Sequence, residues 1–474
     1  MPLVAGVDCS TQSTKVVVCD ADTGAILREG KASHPDTSEI DPEIWWRAFL
    51  AASDGILDGV EAIAVGGQQH GMVLLEAHGA VVRDALLWND TCSAAAATAL
   101  VDERGGPDAW AAATGSVPLA SFTVTKLRWV ADHEPETVRR TAAVALPHDW
   151  LTARLRAGGG PVDISALTTD RGDASGTGYW SPADGSYRAD LLAAAARREL
   201  AVPRVADPAE AVGTTPDGAV PAGIALAAGT GDNMAAALGL GLAPGDVAIS
   251  LGTSGTVFAV ADAPTADPSG LVAGFADATG RFLPLVCTLN AARVLDAAAA
   301  LLGLDIAAFD RLAAEAPHGD GLVVLPYLDG ERTPDLPAAT GLAYGLTRAT
   351  STPAHYARAA TEGMLCGLAD GLDALRAQGV VTRRAVLIGG AARSAAVQAL
   401  APALFGVPLA VPEPGEYVAR GAARQAAWIL RGGAEPPDWP VASTDLPQAS
   451  LDGATRTAYA QVRDAALPLL RKDF

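Results

Sequence analysis

Cysteine is scarce in this sequence of 474 residues, and the few cysteines that occur are far apart. They number five, and they form neither a Cys-x-x-Cys pair nor a cluster with histidine at metal-ligand spacing. This pattern excludes a disulfide-rich secreted domain and a structural zinc site. We expect the cysteines to be small core residues of a protein that works in a reducing compartment.

Positive charge is also in short supply. Lysine and arginine number 34 against 54 aspartates and glutamates, and the formal net charge is −20. Long-range repulsion would oppose an encounter with nucleic acid or with an anionic membrane, so we expect neither as a partner. An anionic nucleotide would need local positive groups and Mg²⁺. Lysine occurs at four positions, so Lys15, which follows a polar loop, is a rare residue in a chemically suggestive place.

Long hydrophobic runs are missing as well. No uninterrupted apolar stretch reaches the length needed to span a membrane. The first three residues lead directly into a predicted strand, without a charged leader, an apolar signal core or a cleavage site. We therefore expect a soluble, cytoplasmic protein. We consider a homodimer as the oligomeric state of the protein.

Two stretches more than two hundred residues apart share one plan: GVDCSTQSTKVVVCD at 6–20 and AISLGTSGTVFAVAD at 248–262. Each is predicted to form an apolar strand, a loop of small hydroxyl residues and a second apolar strand. With Thr11 set against Thr253, the two loops align without a gap, as an internal duplication of a β-hairpin would leave them. The chain is also longer than one hydrophobic core usually serves, so we expect two domains or three.

The two hairpins have a chemical and a purely structural interpretation. A loop rich in Ser, Thr and Gly directs several backbone N–H groups and hydroxyls at one anion, and two such hairpins could hold a polyphosphate from both sides. The first copy alone adds an acid, Asp8, and a base, Lys15. Either hairpin by itself is more simply an ordinary turn. The presence of both favours a nucleotide site with a metal-binding carboxylate.

Other polar loops follow predicted strands. The strand at 62–65 leads into the loop 66–71, and the strand at 224–228 leads through a Gly-Thr-Gly turn into a helix from Asp232 to Leu240. Such loops lie at strand ends, where open α/β sheets bind ligands. A third strand, 385–388, precedes a glycine-rich loop and a helix from Arg393 to Phe405. This loop lacks the Lys-Ser/Thr ending of a P-loop, which argues against a Walker mechanism.

Several of these motifs resemble those of a known family. DCSTQSTK, GQQHG, LWNDT, TGDNM, LGTSGT, GERTP and GGAARS occur in the order found in FGGY carbohydrate kinases, and the resemblance spans nearly the whole chain. It implies an α/β fold of two duplicated ribonuclease-H-like domains, as in actin and hexokinase ATPases, with an interdomain cleft. Residues 1–243 would form the N-terminal domain, with the sugar site and catalytic base. Residues 244–474 would form the ATP-binding C-terminal domain, and we consider that its last helices return to the first domain.

The resemblance also implies roles for three charged residues. Phosphoryl transfer needs in-line positioning, charge neutralisation and an acceptor for the hydroxyl proton, and Asp232 matches the family's catalytic base. By residue type and position alone, Asp232 is equally an aspartate that caps the helix it opens. Asp8 matches the carboxylate that organises Mg²⁺, through water, on the phosphates of ATP. Lys15 would stabilise the transferring phosphate charge.

The remaining candidates bind the two substrates. Gln69, His70 and Asn233, together with Asp232, would bind the sugar, because a polyol needs donors and acceptors in a small cavity. Asp90 and Asp173 are weaker candidates, as compatible with fixing loops as with touching sugar. The candidate ATP-binding residues, besides Lys15, are Thr11, Gln12, Ser13, Gly252, Thr253, Ser254, Gly389, Gly390 and Ala391.

The sugar-side motifs suggest an acceptor. GQQHG and TDRGDASGT most resemble the xylulokinase branch of the family, which implies transfer from ATP to D-xylulose in xylose catabolism. A kinase for another ketose or polyol, such as ribulose, glycerol or gluconate, is an alternative, because the ATP half would look the same. A sugar-sensing protein without chemistry is a further alternative. The presence of Asp8, Lys15 and Asp232 together argues against it.

Overall fold

The computed structural model describes residues 1–316 and 320–470. Up to residue 231 the strands are β1 (Leu3–Cys9), β2 (Ser13–Asp20), β3 (Ile26–Ser33), β4 (Glu39–Ile40), β5 (Val60–Gly67), β6 (Val73–Leu75), β7 (Ala85–Leu86), β8 (Ala143–Ala145), β9 (Thr168–Thr169), β10 (Trp180–Ser181), β11 (Ser186–Tyr187), β12 (Arg204–Val205), β13 (Ala211–Thr214), β14 (Ala225–Ala227) and β15 (Thr230–Gly231). The later strands are β16 (Asp246–Leu251), β17 (Gly255–Ala259), β18 (Ala273–Ala276), β19 (Phe282–Thr288), β20 (Val323–Leu325), β21 (Leu342–Tyr344), β22 (Arg384–Ile388), β23 (Leu409–Pro412) and β24 (Ser443–Asp445).

The α-helices of the first 240 residues are α1 (Pro42–Ser53), α2 (Ala94–Glu103), α3 (Pro107–Thr114), α4 (Thr123–His133), α5 (Pro135–Arg140), α6 (Pro147–Arg156), α7 (Arg171–Ser175), α8 (Ala189–Ala196) and α9 (Asp232–Leu240). They are followed by α10 (Ala292–Leu302), α11 (Ile306–Glu315), α12 (Pro353–Ala377), α13 (Ala395–Phe405), α14 (Tyr417–Arg431) and α15 (Gly453–Leu470). In the described part of the chain, no helix is both long enough and apolar enough to cross a membrane.

The chain divides into two units that are each discontinuous in sequence. Unit 1 comprises Met1–Leu242, Asp262–Leu283 and Gly415–Val441. Unit 2 comprises Ala243–Ala261, Pro284–Pro414 and the described residues from Ala442 onward. Helix α14 is therefore part of unit 1, although it lies near the end of the chain.

Each unit is built on the same strand plan. In unit 1 the strands run in the order β13-β14-β5-β1-β2-β3. In unit 2 the path β19-β17-β16-β22-β23-β24 shows the same arrangement, read from the opposite edge of the sheet. Both contain an antiparallel hairpin, a parallel strand on its other side, a second parallel strand and an antiparallel edge strand. The predicted duplication of one α/β plan is present.

The two hairpins differ in register. Strands β1 and β2 end with Cys9 opposite Thr14, which leaves residues 10–13 in the loop. Strands β16 and β17 end with Leu251 opposite Gly255, which leaves residues 252–254. The gap-free alignment of the two loops is therefore wrong by one residue. A backbone bond from Ser10 N to the carbonyl oxygen of residue 13 closes the longer first loop.

Alternation along β1 explains how the unit 1 sheet is covered on both faces. Successive side chains of a strand point to opposite faces. Val4 packs against the alanines of α14, whereas Ala5 and Val7 belong to a core with Trp45 and Phe49 of α1. Strands buried on both faces appear as nearly continuous apolar runs, which is the pattern of both hairpin sequences.

Helices α9 and α14 pack backbone against backbone. A Cβ atom added to Gly421 would lie 1.8 Å from the carbonyl oxygen of Ala235, and one added to Gly239 would lie 2.0 Å from that of Tyr417. Only glycine permits this approach at either position. The Arg420 guanidinium also donates to the carbonyl of Gly239, at 2.6 Å. This packing holds α9 firmly, and with it the residue at its N-terminus.

Most predicted elements are confirmed. Helix α9 has the predicted bounds, and Asp41 caps α1 by accepting from the backbone N–H of Glu43. The stretch 203–223 contains the short strands β12 and β13. Helix α13 begins two residues later than predicted, because residues 390–393 form a 3₁₀ turn and Ser394 is the N-cap.

Candidate functional site

Three parallel strands end side by side in unit 1. Asp8 of β1 pairs with Gly66 of β5, and Thr230 of β15 pairs with the same glycine from the other side. The segments that leave these strands are the phosphate-loop candidate, the GQQHG loop and the start of α9. Because the carboxyl ends of parallel strands lie at one edge of a sheet, residues far apart in sequence meet here.

Asp232 is the first residue of α9. The N-cap position is occupied by Gly231, so Asp232 lies one residue inside the helix and is not its N-cap. Its Oδ1 atom accepts instead from the backbone N–H of Asn233, at 2.8 Å. Burial of the carboxyl, and then the negative charge of Asp8, raise the pKa of Asp232 to about 7. A carboxylate of this basicity is suited to accept a proton near neutral pH.

The predicted sugar residues are connected by hydrogen bonds. The amide nitrogen of Asn233 donates to Gln69 Oε1 at 3.2 Å and to Asp232 Oδ1 at 2.9 Å. A Cβ atom added to Gly231 would lie 2.8 Å from Cγ of Gln69. The structure therefore brings Gln69, Asn233 and the candidate base into one hydrogen-bonded group. Their polar atoms lie close enough together to bind neighbouring hydroxyls of a polyol.

His70 adopts an uncommon backbone conformation, with φ of +67°. Left-handed non-glycine residues are rare and cluster at functional sites. The ring stacks on Phe122 with centroids 4.7 Å apart, and Nδ1 lies 2.6 Å from the carbonyl oxygen of Gly176. Since a carbonyl only accepts, Nδ1 carries the hydrogen, and a neutral ring then has its acceptor at Nε2. The backbone conformation of His70 and its packing against Phe122 therefore hold the ring in one orientation.

Asp8 lies in a small charged group at the end of β1. Ser10 Oγ donates to Asp8 Oδ1, and Lys15 Nζ lies 3.8 Å from Oδ2. Lys15 also donates to Glu416 Oε2 at 2.6 Å. Burial raises the pKa of Asp8 to about 6, and Ser10 and Lys15 partly offset this rise. One such carboxylate suits Mg²⁺, which keeps several waters and takes its other ligands from phosphate.

The rest of the first hairpin loop is placed by neighbouring side chains. Trp88 of the LWNDT motif donates from Nε1 to Thr11 Oγ1 at 2.9 Å. The carbonyl of Gln12 accepts from the backbone N–H of His34 at 2.7 Å, and the side chain of Gln12 is exposed. Ser13 is buried at the start of β2. Gln12 is therefore the exposed residue of this loop, and Ser10 and Thr11 are partly buried.

In unit 2 the two predicted nucleotide motifs come together. The residues Gly252, Thr253 and Ser254 form the turn between β16 and β17. Gly389, with φ of +89°, packs against this turn, and an added Cβ atom would lie 2.9 Å from the backbone nitrogen of Gly252. Arg293 Nε donates to the carbonyl of Thr253 at 3.2 Å. The close approach explains why a glycine follows β22.

A cavity of about 300 Å³ adjoins these motifs. Gly390 and Ala391 line it, and a Cβ atom at Gly390 would meet open space. The other lining residues are Ala292, Leu295, Asp296, Ile306, Ala307, Phe309, Asp310 and Ser394. A mostly apolar hollow with a few carboxylates and hydroxyls is the kind of surface that holds an adenosine group.

Sequence reasoning missed two groups of residues. Glu416, which bonds Lys15, lies 401 positions away in the chain. His148 and Asp149, at the start of α6, form a buried charged cluster with Asp170 and Asp173. The only signal in the sequence was the density of charged residues in two motifs, PHDW and TTDRGD.

The two weaker sugar candidates make contacts within the protein. Asp90 accepts from Ser38 Oγ at 2.7 Å and from the backbone N–H of Cys92 at 2.8 Å. Asp173 is fully buried against His148. Within residues 1–316 and 320–470, no group of three or more Cys, His, Asp or Glu side chains is arranged to hold a metal ion.

Comparison with known proteins identifies relatives over the full length of the chain. The family model described as the FGGY family of carbohydrate kinases, N-terminal domain, matches residues 3–239, and its C-terminal counterpart matches residues 247–430. The chain is 48% identical to the xylulose kinase of Streptomyces coelicolor, over 100% of this chain and 98% of that protein. It is 46% identical to the xylulose kinase of Streptomyces rubiginosus, over 99% and 98% of the two chains.

A solved structure shows the same fold. The crystal structure of xylulose kinase from Bifidobacterium adolescentis matches with a TM-score of 0.89 and 45% identity, over 98% of this chain and 99% of that chain. The predicted fold class, two α/β domains of the actin and hexokinase ATPase type, is confirmed. The chain belongs to the FGGY family of carbohydrate kinases.

Proposed function

We propose that the protein transfers the γ-phosphoryl group of ATP to D-xylulose, which yields D-xylulose 5-phosphate and ADP, with Mg²⁺ as the metal ion. The observation that carries this proposal is the similarity to xylulose kinases along the entire chain, through both the sugar-side and the nucleotide-side motifs. Unit 1 would hold the sugar and the base, and unit 2 the adenosine.

We assign to unit 1 the binding of the sugar and the acceptance of a proton from its reacting hydroxyl. Gln69, His70 and Asn233 would bind the hydroxyls of the sugar. The terminal hydroxyl gives its proton to Asp232 as its oxygen bonds to the γ-phosphorus, and the bond from that phosphorus to the β-phosphate bridging oxygen breaks. ADP leaves with the electron pair of the broken bond. Asp232 must be ionised for this step, so activity should rise with pH through about 7.

The donor side is assigned to polar groups of both hairpins. Lys15 and the backbone of the loop that follows Asp8 would receive phosphate oxygens. Asp8, through water, would hold Mg²⁺, which neutralises phosphate charge when bound. The turn at 252–254 would contact phosphate, and the cavity lined by Gly390 and Ala391 would take the adenosine.

A coupled assay of ADP release tests the proposal. D-xylulose, D-ribulose, glycerol and gluconate are compared as acceptors at saturating ATP and Mg²⁺. We expect D-xylulose to give the largest kcat/KM. A larger value for another acceptor would replace the substrate while retaining the kinase, and no ADP release with any sugar would remove the proposed function.

Replacement of His70 by asparagine should raise the KM for sugar by about three- to tenfold, which is the cost of one neutral hydrogen bond. Asparagine tolerates the left-handed backbone at this position, so the change removes the ring with little added strain. The KM for ATP should stay unchanged, because the contact is with the acceptor alone.

His78 provides the matched control for this substitution. Its side chain is 73% exposed and pairs only with a neighbouring glutamate among its described ion pairs. The variant His78→Asn should leave both KM values unchanged. Equal rises in the two KM values of the His70 variant would indicate a general folding defect and would remove His70 from the sugar site.

Replacement of Ala391 by phenylalanine should raise the KM for ATP by about tenfold and leave the KM for sugar unchanged. The larger ring would occupy part of the cavity of unit 2 and leave less room for the adenosine, and a tenfold change in affinity corresponds to about 1.4 kcal/mol. Ala300→Phe, an exposed position on α10 outside the lining of that cavity, is the control. An unchanged KM for ATP in the Ala391 variant would place adenosine elsewhere.

A further inference from the structure

A buried histidine lies beneath the start of α9. His148, the second residue of α6, has no exposed side-chain surface. Its Nδ1 atom lies 2.6 Å from Asp173 Oδ2, and its Nε2 atom lies 3.2 Å from Asp149 Oδ1 and 3.9 Å from Asp170 Oδ1. All three carboxylates are themselves buried. Buried carboxylates without a nearby cation are costly, and the protonated ring is in a position to offset one of the three negative charges.

His148 also packs between two segments of the candidate site. A Cβ atom added to Gly67, at the end of β5, would lie 2.9 Å from Cβ of His148. One added to Gly229, before β15, would lie 2.6 Å from Cδ2 of the ring and 2.6 Å from the carbonyl oxygen of Val65. The first strand leads directly into the GQQHG loop, and the second into Asp232. A shift of His148 would therefore displace both the sugar loop and the base.

Asp170 connects the charged cluster to the turn before the base. Its Oδ2 atom accepts from Thr230 Oγ1 at 2.7 Å and from the backbone N–H of Gly172 at 2.8 Å, and its Oδ1 atom accepts from that of Asp173 at 2.8 Å. An ionised carboxylate makes these bonds best, because it only accepts. Thr230 is two residues from Asp232, so the charge state of Asp170 bears on the position of the base.

A few other titratable groups face the cluster among the described residues. Arg171, which follows Asp170, is the second cation near that carboxylate, and Tyr179 and Asp232 lie close enough to interact electrostatically with Asp173. Tyr187 interacts in the same way with Asp149, Asp170 and Asp173. Burial opposes protonation of His148, but Asp149, and then Asp173 and Asp170, outweigh burial and raise the pKa of its imidazole to about 9. The raised pKa favours the charged form of the ring at neutral pH.

We propose that His148 is a positioning residue for the phosphoryl transfer: as a buried cation it keeps Asp170 and Asp173 ionised and in place, and so fixes the turn that presents Asp232. This inference rests on the proposed function, in which Asp232 is the base. His148 touches neither substrate in this proposal. Its contribution lies in the alignment of the base and of the sugar loop.

The test compares a neutral and a charged replacement. His148→Gln keeps a hydrogen-bond donor of similar size but removes the charge, whereas His148→Lys keeps a cation. We expect the glutamine variant to lose about 10- to 100-fold in kcat, the scale of a base displaced by roughly 1 Å, with a smaller rise in the KM for sugar because the sugar loop packs against the same residue. The lysine variant should recover most of kcat. If the glutamine variant keeps the wild-type kcat, or the lysine variant is no better than it, the proposal is wrong.

The pH profile adds a readout that a purely packing role would not move. Loss of the cation leaves the carboxylates harder to ionise, so the acid limb of kcat/KM should move to higher pH in the glutamine variant and return in the lysine variant. An acid limb at the wild-type pH in the glutamine variant would contradict the proposal.

A third measurement is independent of activity. In protein labelled with ¹³C at histidine, the His148 signal, assigned by its absence from His148→Lys, should stay at the imidazolium position up to about pH 8, which is well above the ordinary histidine pKa of about 6.5. A His148 ring that is neutral at pH 7 would overturn the proposal. If D-xylulose is not the acceptor, the kinetic comparison is made with the sugar that the wild-type protein phosphorylates. Failure of the proposed function is then distinguished from failure of the role proposed for His148.

Discussion

Replacement of Asp232 by asparagine is expected to lower kcat by about 10²- to 10⁴-fold, which is the usual contribution of a general base. Asparagine keeps the shape of the side chain and its bond from the backbone of Asn233, but it cannot accept the proton of the hydroxyl. The KM for D-xylulose should change by less than about tenfold, because Gln69, His70 and Asn233 remain. Steady-state kinetics with both substrates measure the two effects separately.

The same variant should be more stable than the wild type at high pH. The folded-state pKa of Asp232, about 7, lies above its value of 3.8 in the absence of burial, so ionisation of this group opposes folding. This cost is absent below pH 3.8, grows as the pH rises towards 7 and is complete above it. Asp232→Asn removes the cost, so its thermal midpoint should exceed that of the wild type more at about pH 8 than at about pH 5.

Together these measurements separate a missing base from a damaged fold. A variant with low kcat and a raised midpoint at high pH has lost only the carboxylate. Near-normal turnover would remove Asp232 from the mechanism. A midpoint below that of the wild type at every pH would instead indicate that the residue is needed for folding, and the kinetic loss would then carry no mechanistic meaning.

Replacement of Asp8 by asparagine should lower kcat by roughly a hundredfold or more and raise the concentration of Mg²⁺ needed for half-maximal activity, since metal-assisted charge neutralisation contributes several kcal/mol. The KM for MgATP should rise more than that for D-xylulose. The measurement is a titration of Mg²⁺ at fixed ATP, with ADP release as the signal. Asparagine keeps an acceptor for Ser10 Oγ, so the loop should retain its conformation.

Asp20 is the matched control for Asp8. It lies at the far end of the same hairpin, is also buried, and accepts from the backbone N–H groups of Asp22 and Thr23. Asp20→Asn should leave the Mg²⁺ requirement unchanged. If Asp8→Asn behaves like this control, the metal role of Asp8 is wrong, and Glu416, which shares Lys15 with it, becomes the carboxylate to examine.

Some of this site could be predicted from local sequence alone. The strand before Asp232, the helix after it and the hairpin after Asp8 all follow from short apolar runs and turn residues, whose preferences act over a few positions. The order of the motifs then indicated the family. The register of the two hairpins could not be predicted in the same way, because a difference of one residue depends on how each loop closes its hydrogen bonds.

The cluster around His148 could not be predicted from local sequence. Nothing near residue 148 indicates that Asp170 and Asp173 will lie against its ring, or that the glycines at 67 and 229 leave room for it. The same holds for the pair of Lys15 and Glu416. Each contact joins segments that meet only when strands and helices pack, so no pattern of neighbouring residues in the sequence predicts it.

By itself, the sequence determined the duplicated strand plan, the helix that Asp232 opens and the chemical types of the candidate residues, since these depend on local periodicity and composition. Tertiary structure alone decided which of those residues share one hydrogen-bonded group, how basic Asp232 is, and which buried cation lies beneath it. The physical reason is that desolvation and charge pairing depend on distances in space, and these distances are fixed by packing between segments that can be hundreds of residues apart.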